Sequence, residues 1–188
     1  MIHPASRFAS VQSGFTLIEL IIFIVIVSAA LAGVLSVLNQ STARSADPQL
    51  RRQALAIAES LLEEVQLMPF TFCDPDDPAV ETAANAAGCT TPEAIGPEAG
   101  ETRAGTPQFD NVNDYHGFSM PAGISDITGA AVAGLGLYSA NVTVQAAALG
   151  TIPAAGNALR ITVTVNGPGA TQVRLEGWRT RYAPNAAF

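Results

Sequence analysis

The chain has no lysine and few charges of any kind. Only 13% of its 188 residues are charged, about half the ~25% usual in soluble domains. The nine cations are all arginines, scattered among sixteen acids, for a formal net charge of −7. A chain of that sign with no basic stripe suits a phosphate backbone poorly, so no nucleic-acid partner is expected. Two cysteines exclude a dense disulfide scaffold and a four-cysteine zinc site. The two histidines, His3 and His116, leave little for acid–base chemistry. There is no Gly-x-Ser-x-Gly, Walker loop or His-Glu-x-x-His helix. No enzyme is expected, and His116, among Gly and Asp, reads as a turn or surface residue.

What the chain has in excess is apolar surface, and it lies at one end. Leu20–Leu38 runs LIIFIVIVSAALAGVLSVL without a charge. From Phe15 to Leu38 a helix rises roughly 35 Å, enough to cross a hydrocarbon core of about 30 Å. The alternative is a cleaved secretory signal, whose apolar region is ordinarily only about 7–15 residues. Arg7 on one flank and Arg44, Arg51 and Arg52 on the other leave the orientation open. Glu19 interrupts the apolar stretch, and a carboxylate at the bilayer centre costs about 2.5–3.5 kcal/mol on insertion scales. Either it reaches headgroup water at the interface, or it has a partner and a function.

Gly14-Phe15-Thr16-Leu17-Ile18-Glu19-Leu20 resembles the cleavage and assembly signature of type IV prepilins and of the pseudopilins of type II secretion. The resemblance implies a cytoplasmic leader, 1–14, cut away between Gly14 and Phe15 by prepilin peptidase, with N-methylation of the new terminal Phe15. Residues 15–38 would then cross the bacterial inner membrane once, with the rest of the chain outside the cytoplasm, and later pack the core of an extracellular pilus. Glu19 would be the assembly residue. It lies about 6 Å along the helix from Phe15, and in a dry filament core its carboxylate would neutralise the Phe15 amine of a neighbour, since a buried charge is tolerable when paired. The partners implied are other pilin subunits, prepilin peptidase, the inner-membrane assembly platform and membrane lipid; no cofactor is expected. The chain departs from the common pattern in its fourteen-residue leader with a single Arg, and in having Gly33 and Ser36 where many pilins have a mid-helix proline.

Beyond the anchor, Asn39–Ala46 is polar, and Asp47-Pro48 suits a helix start or the resumption of a kinked one. Leu50, Ala54, Ile57, Leu61, Val65 and Met68 recur at helical spacing, with Arg51, Arg52, Glu59, Glu63 and Glu64 largely off the stripe. An amphipathic helix is expected over 39–68, ended by Pro69. Residues 69–109 read as a Pro-rich loop holding Cys73 and Cys89, with fifteen residues between them. In the oxidising compartment that the resemblance implies, the pair forms a disulfide, worth about 3 kcal/mol in the chain-entropy model. Free thiols are the alternative; a metal has too few ligands there. Cys73-Asp-Pro-Asp-Asp-Pro78 reads as turns, lacking the spacing of a calcium loop. Asp110, Asn113 and Asp114 are oxygen donors that calcium could use, against the plainer reading of a turn into an edge strand, Tyr115–Met120.

Tyr138–Gln145, Leu159–Val165 and Gln172–Arg181 alternate apolar and polar residues, with a turn at Asn166–Gly169. Trp178 reads as core or rim packing. Residues 110–188 are thus expected to form an antiparallel meander with one face on the helix. The fold class is α+β, the type IV pilin fold: a long N-terminal helix on a small antiparallel sheet. The blocks QALAIAESLLEEVQLMPFTFCDPDDP and FDNVNDYHGF are similar to minor pilins of the mannose-sensitive haemagglutinin (MSHA) pilus, the D-type subunit. That resemblance implies a minor pilin that primes or supports assembly and surface attachment. The alternatives are a minor pseudopilin of type II secretion and a pilus-borne adhesin with a ligand-binding globular domain.

Overall fold

A computed structural model describes residues 14–153 and 156–186. The expected leader up to residue 13, with His3 and Arg7, lies outside the described residues. The chain divides into two units, Met1–Ser45 and Ala46–Phe188, and helix α1, Leu17–Leu67, has residues in both.

In the first unit, α1 is apolar from Leu17 to Asn39 and none of that stretch is buried within the chain. Leu20, Phe23, Ile24, Val34 and Leu38 are all exposed. A helix that is hydrophobic on every side requires an apolar surrounding, either lipid or other helices, and this one is long and apolar enough to span a bilayer. Thr16 starts it. Its Oγ1 accepts the Glu19 backbone N–H at 3.3 Å, and its carbonyl accepts the Leu20 N–H at 3.2 Å. The helix therefore begins at Leu17, with Thr16 as its cap, two residues after Phe15.

The polar stretch Asn39–Ala46 is helical, and α1 continues past Pro48 where the composition predicts a break or kink. Proline deletes one i→i−4 bond, but its neighbours Ala46, Gln49, Leu50, Arg51 and Arg52 are good helix formers. In the second unit the predicted stripe faces the core. Ala54, Ile57, Leu61 and Val65 are buried, and Ala58 joins them; Leu50 and Met68 pack at the margins.

The sheet is a four-stranded antiparallel meander in the order β1-β2-β3-β4, with β1 Ser119–Met120, β2 Ser139–Ala146, β3 Ala158–Asn166 and β4 Gln172–Thr180. Alternation in β2 sends Ala140, Val142 and Val144 inward. They meet Ile161, Val163 and Val165 of the central β3 and the buried face of α1 in one core. The helix crosses β4 at Gly177, where a Cβ would stand 2.5 Å from Gln66 Nε2 and 2.9 Å from Leu62 Cδ1. Trp178 is half-buried, in register with Arg160 of β3.

The edge strand expected over Tyr115–Met120 is only Ser119–Met120. Val112–Tyr115 instead forms a 3₁₀ turn. The cause is local: Asp114 Oδ2 accepts the backbone N–H groups of Asp110 (3.0 Å) and Asn111 (2.7 Å). Short polar side chains that bond nearby backbone in this way compete with strand pairing. Tyr115, fully buried, packs edge-on against Phe109 and Phe118, with centroids 5.0 and 6.1 Å away.

Candidate functional site

Three groups of residues carry the functional expectations, and the structure places each. Gly14 and Phe15 precede the helix and are exposed, Phe15 at 85% relative exposure. Glu19 occupies the third position of the capped first turn and is also exposed. Thr16-Leu17-Ile18-Glu19 has the Thr-x-x-Glu spacing of a helix start, and a carboxylate in the first turn is favoured by the helix dipole by about 0.3–1 kcal/mol. No ion pair joins Glu19 to a cation among the described residues. The arrangement presents an accessible Gly–Phe bond, a preformed helix behind it and a carboxylate available to another molecule.

Cys73 and Cys89 are bonded to each other. The bridge closes a loop whose turns are held by its aspartates. Asp74 Oδ1 accepts the Asp76 N–H, and Asp77 accepts those of Ala79 and Thr91. These N–H groups hold the Asp77 carboxyl below the usual carboxylate range. The loop continues beside Cys73 through Pro92 and through the Glu93 N–H, which donates to the Phe72 carbonyl at 3.0 Å.

Asp110 and Asp114 belong to a larger group of acids than the sequence suggested. Carboxylate oxygens of Glu93, Glu98 and Asp114 lie within 4.8 Å of one another. Glu98 also meets Asp74 and Glu101, and Asp74 meets Asp76 and Asp110, within the same limit. Burial first, then the charges of Glu98 and Asp114, push the Glu93 carboxyl up to about 9. Burial and Asp114 push Glu98 up to about 8, and burial and Glu101 push Asp110 up to about 7. Asp114 rises to about 6, burial outweighing the N–H bonds from Asn111 and Asp110. Asn113, the third sequence candidate, is buried, and its side chain lies beside Glu93.

Sequence reasoning missed the pairing of Glu64 with Arg103, 39 residues apart. Arg103 Nε and Nη2 donate to the two oxygens of Glu64 at 2.6 and 2.7 Å, and Tyr115 Oη donates to the same carboxylate at 2.8 Å. Arg103 Nη1 donates to the carbonyls of Ser125 and Asp126. This pair lines one side of a largely apolar groove of about 530 Å³, bounded also by Ile57, Leu61, Met120 and Leu135. The charged groups of Glu64 and Arg103 are engaged with each other, and the groove is also lined by Ser60, Ser125 and Asp126. His116 is tied into the fold as well: its Nδ1 accepts the Val144 N–H at 3.2 Å.

With this geometry in place, the comparisons with known proteins bear on its N-terminal part. The family model for the prokaryotic N-terminal methylation motif matches residues 10–35. No curated protein and no solved structure matches the chain. The matched residues include Gly14, Phe15, Thr16, Glu19 and most of the exposed apolar helix. With the long apolar helix and the small antiparallel sheet, which are consistent with the type IV pilin fold, the match supports a type IV pilin-like, membrane-anchored structural subunit rather than an enzyme.

Proposed function

We propose that this chain is a minor pilin of an MSHA-type type IV pilus, processed by prepilin peptidase between Gly14 and Phe15, N-methylated at Phe15 and incorporated into the filament to prime or support assembly and surface attachment. One observation carries the reading: the methylation motif stands at the capped start of a helix whose apolar surface is uncovered on every side. Such a surface needs lipid before assembly and neighbouring helices after it. The partners are accordingly prepilin peptidase, the inner-membrane assembly platform, membrane lipid and other pilin subunits. The unit Ala46–Phe188 has its own core and a disulfide, which suits a domain outside the cytoplasm, first at the inner membrane and then on the pilus.

Antibodies against the globular unit test this directly. They are expected to detect the chain in pili sheared from the cell surface, and deletion of its gene is expected to lower pilus number. Absence from sheared pili, together with loss of secretion in the deletion strain, would instead mark a pseudopilin of type II secretion.

A further inference from the structure

We infer that the outer edge of β4, from Arg174 to Trp178, is a docking surface for an extended segment of another pilin subunit, which adds to the sheet as a further strand. The hydrogen-bond phase of the sheet carries this. Residues of an antiparallel strand alternate, one bonding to the neighbouring strand and the next facing the other way. Both ends of the β3–β4 pair fix that alternation. The Arg181 N–H donates to the Asn157 carbonyl at 3.0 Å, and the Gly167 N–H to the Thr171 carbonyl at 2.8 Å. Odd-numbered residues of β4 therefore bond to β3. The backbone N–H and carbonyl groups of Arg174, Glu176 and Trp178 face the open edge, and among the described residues none of them has a partner. The opposite edge of the sheet is closed. There the even-numbered residues of β2 hold the equivalent place. Ala140 pairs with Met120 of β1. Val142 donates to the Phe118 carbonyl and accepts the Gly117 N–H, and the Tyr138 carbonyl accepts the Gly123 N–H. Past the end of β1, His116 Nδ1 accepts the Val144 N–H at 3.2 Å. Native sheets cover their edges because an open ladder recruits other chains. This chain covers one edge down to a single N–H and leaves the other bare.

The side chains beside the open edge define the partner. On the helix side, Leu62 and Leu175 lie at the margin of the core and are only half-buried. An added strand gains by placing apolar residues there. On the outer side, Arg174 and Glu176 pair with each other at 2.6 Å and stay exposed. Charges on an edge deter indiscriminate pairing, while opposite charges directly across a ladder favour it. The segment that fits alternates apolar and polar residues, with an acid beside Arg174 and a base beside Glu176. Two β4 edges would also match these charges about a two-fold axis. Such a pair sets its two copies antiparallel, whereas subunits anchored by the same N-terminal stem in one bilayer share one orientation. The partner is therefore a different segment of a neighbouring subunit. This step rests on the reading of the chain as an assembling subunit. Anchoring such subunits side by side supplies the high effective concentration that a short ladder needs.

The test compares full-length variants in cells that make pili. Glu176→Pro removes one open N–H and leaves the bonds to β3, because an edge strand accommodates proline where its N–H faces outward. It is expected to lower recovery of the chain in sheared pili by about tenfold, the effect of one or two lost ladder bonds. The purified variant is expected to keep the thermal midpoint of Glu176→Ala. Glu176→Ala retains the N–H and is expected in pili at the level of the unaltered chain. Undiminished recovery of Glu176→Pro, or an equal loss in Glu176→Ala, would overturn the assignment. If Glu176→Pro fails to fold, or the unaltered chain is absent from pili, a photo-crosslinking amino acid in place of Arg174 decides the matter in isolated membranes. It is expected to join an extended segment of a different pilin-type subunit, located by mass spectrometry. No adduct, adducts to lipid alone, or adducts joining two copies through β4 would overturn the assignment. Absence from pili with that cross-link retained would count against the pilus and support the edge.

Discussion

Replacing Glu19 with valine leaves the chain cleaved and methylated but reduces its recovery in sheared filaments by about tenfold or more. Two features separate the effects. The cap that starts the helix uses the Glu19 backbone N–H and the Thr16 hydroxyl, so it survives the loss of the carboxylate. The scissile bond lies between Gly14 and Phe15, and neither residue is altered. What disappears is an exposed carboxylate with no cationic partner among the described residues, on a helix otherwise apolar to Asn39. In a filament core, the Phe15 amine of a neighbour would then be buried without a counter-charge. Leaving one member of a buried pair alone costs about 3–5 kcal/mol, and every 1.4 kcal/mol is a factor of ten in an equilibrium. Quantitative immunoblots of sheared pili against whole-cell membranes measure the ratio. Normal incorporation of the Glu19→Val chain would show that the carboxylate has no part in assembly.

Glu64→Ala is expected to be the most damaging single change in the globular unit, at about 3–5 kcal/mol. Arg103 is 8% exposed and Glu64 19%. Truncation at position 64 strands a buried guanidinium and takes the acceptor from the Tyr115 hydroxyl. It also loosens the anchor that Arg103 provides for the Ser125 and Asp126 carbonyls. With a typical total stability of about 5–15 kcal/mol, such a loss brings the unit close to unfolding at growth temperature. Glu176→Ala makes the comparison. Its pair with Arg174 has the same 2.6 Å separation, but the partners are 59% and 42% exposed, and exposed pairs contribute about 0–1 kcal/mol. Chemical denaturation of the two variants, side by side, is expected to show a shifted midpoint for Glu64→Ala and almost none for Glu176→Ala. Equal midpoints would contradict the burial argument.

The difference between these two acids explains which parts of the fold were legible in the sequence. Periodic signals were. The stripe through Ala54, Ile57, Leu61 and Val65 marks the helix face in the core, and period-two alternation locates β2, β3 and β4 to within a residue or so at their ends. The functional start of α1 is a contiguous motif, so it too can be read directly. Glu64 could not be placed, because its partner lies 39 residues away across a loop and helical spacing alone puts it off the stripe. The acidic cluster drew on three separate stretches, Asp74–Asp76, Glu93–Glu101 and Asp110–Asp114. No local spacing marks such a convergence, and only Asp110, Asn113 and Asp114 stood out as oxygen donors. The short β1 has the opposite origin. Tyr115–Met120 has the composition of a strand, yet the Asp110 and Asn111 N–H groups that donate to Asp114 hold a 3₁₀ turn that ends at Tyr115, and strand pairing starts only at Ser119. The continuous helix through Pro48 reflects good helix formers on both sides of one missing bond.

The carboxyl cluster and the N-terminal motif serve different ends of the same molecule. The motif concerns how the subunit enters an assembly; the cluster lies in the globular unit, among the loop after Cys73 and the turn before β1. The central claim rests on the first. Mass spectrometry of the chain recovered from sheared pili tests it most directly. The account predicts an N-terminal peptide that begins at Phe15 and carries one added methyl group; an assembled chain that still holds residues before Phe15, or begins with an unmethylated residue elsewhere, would contradict it.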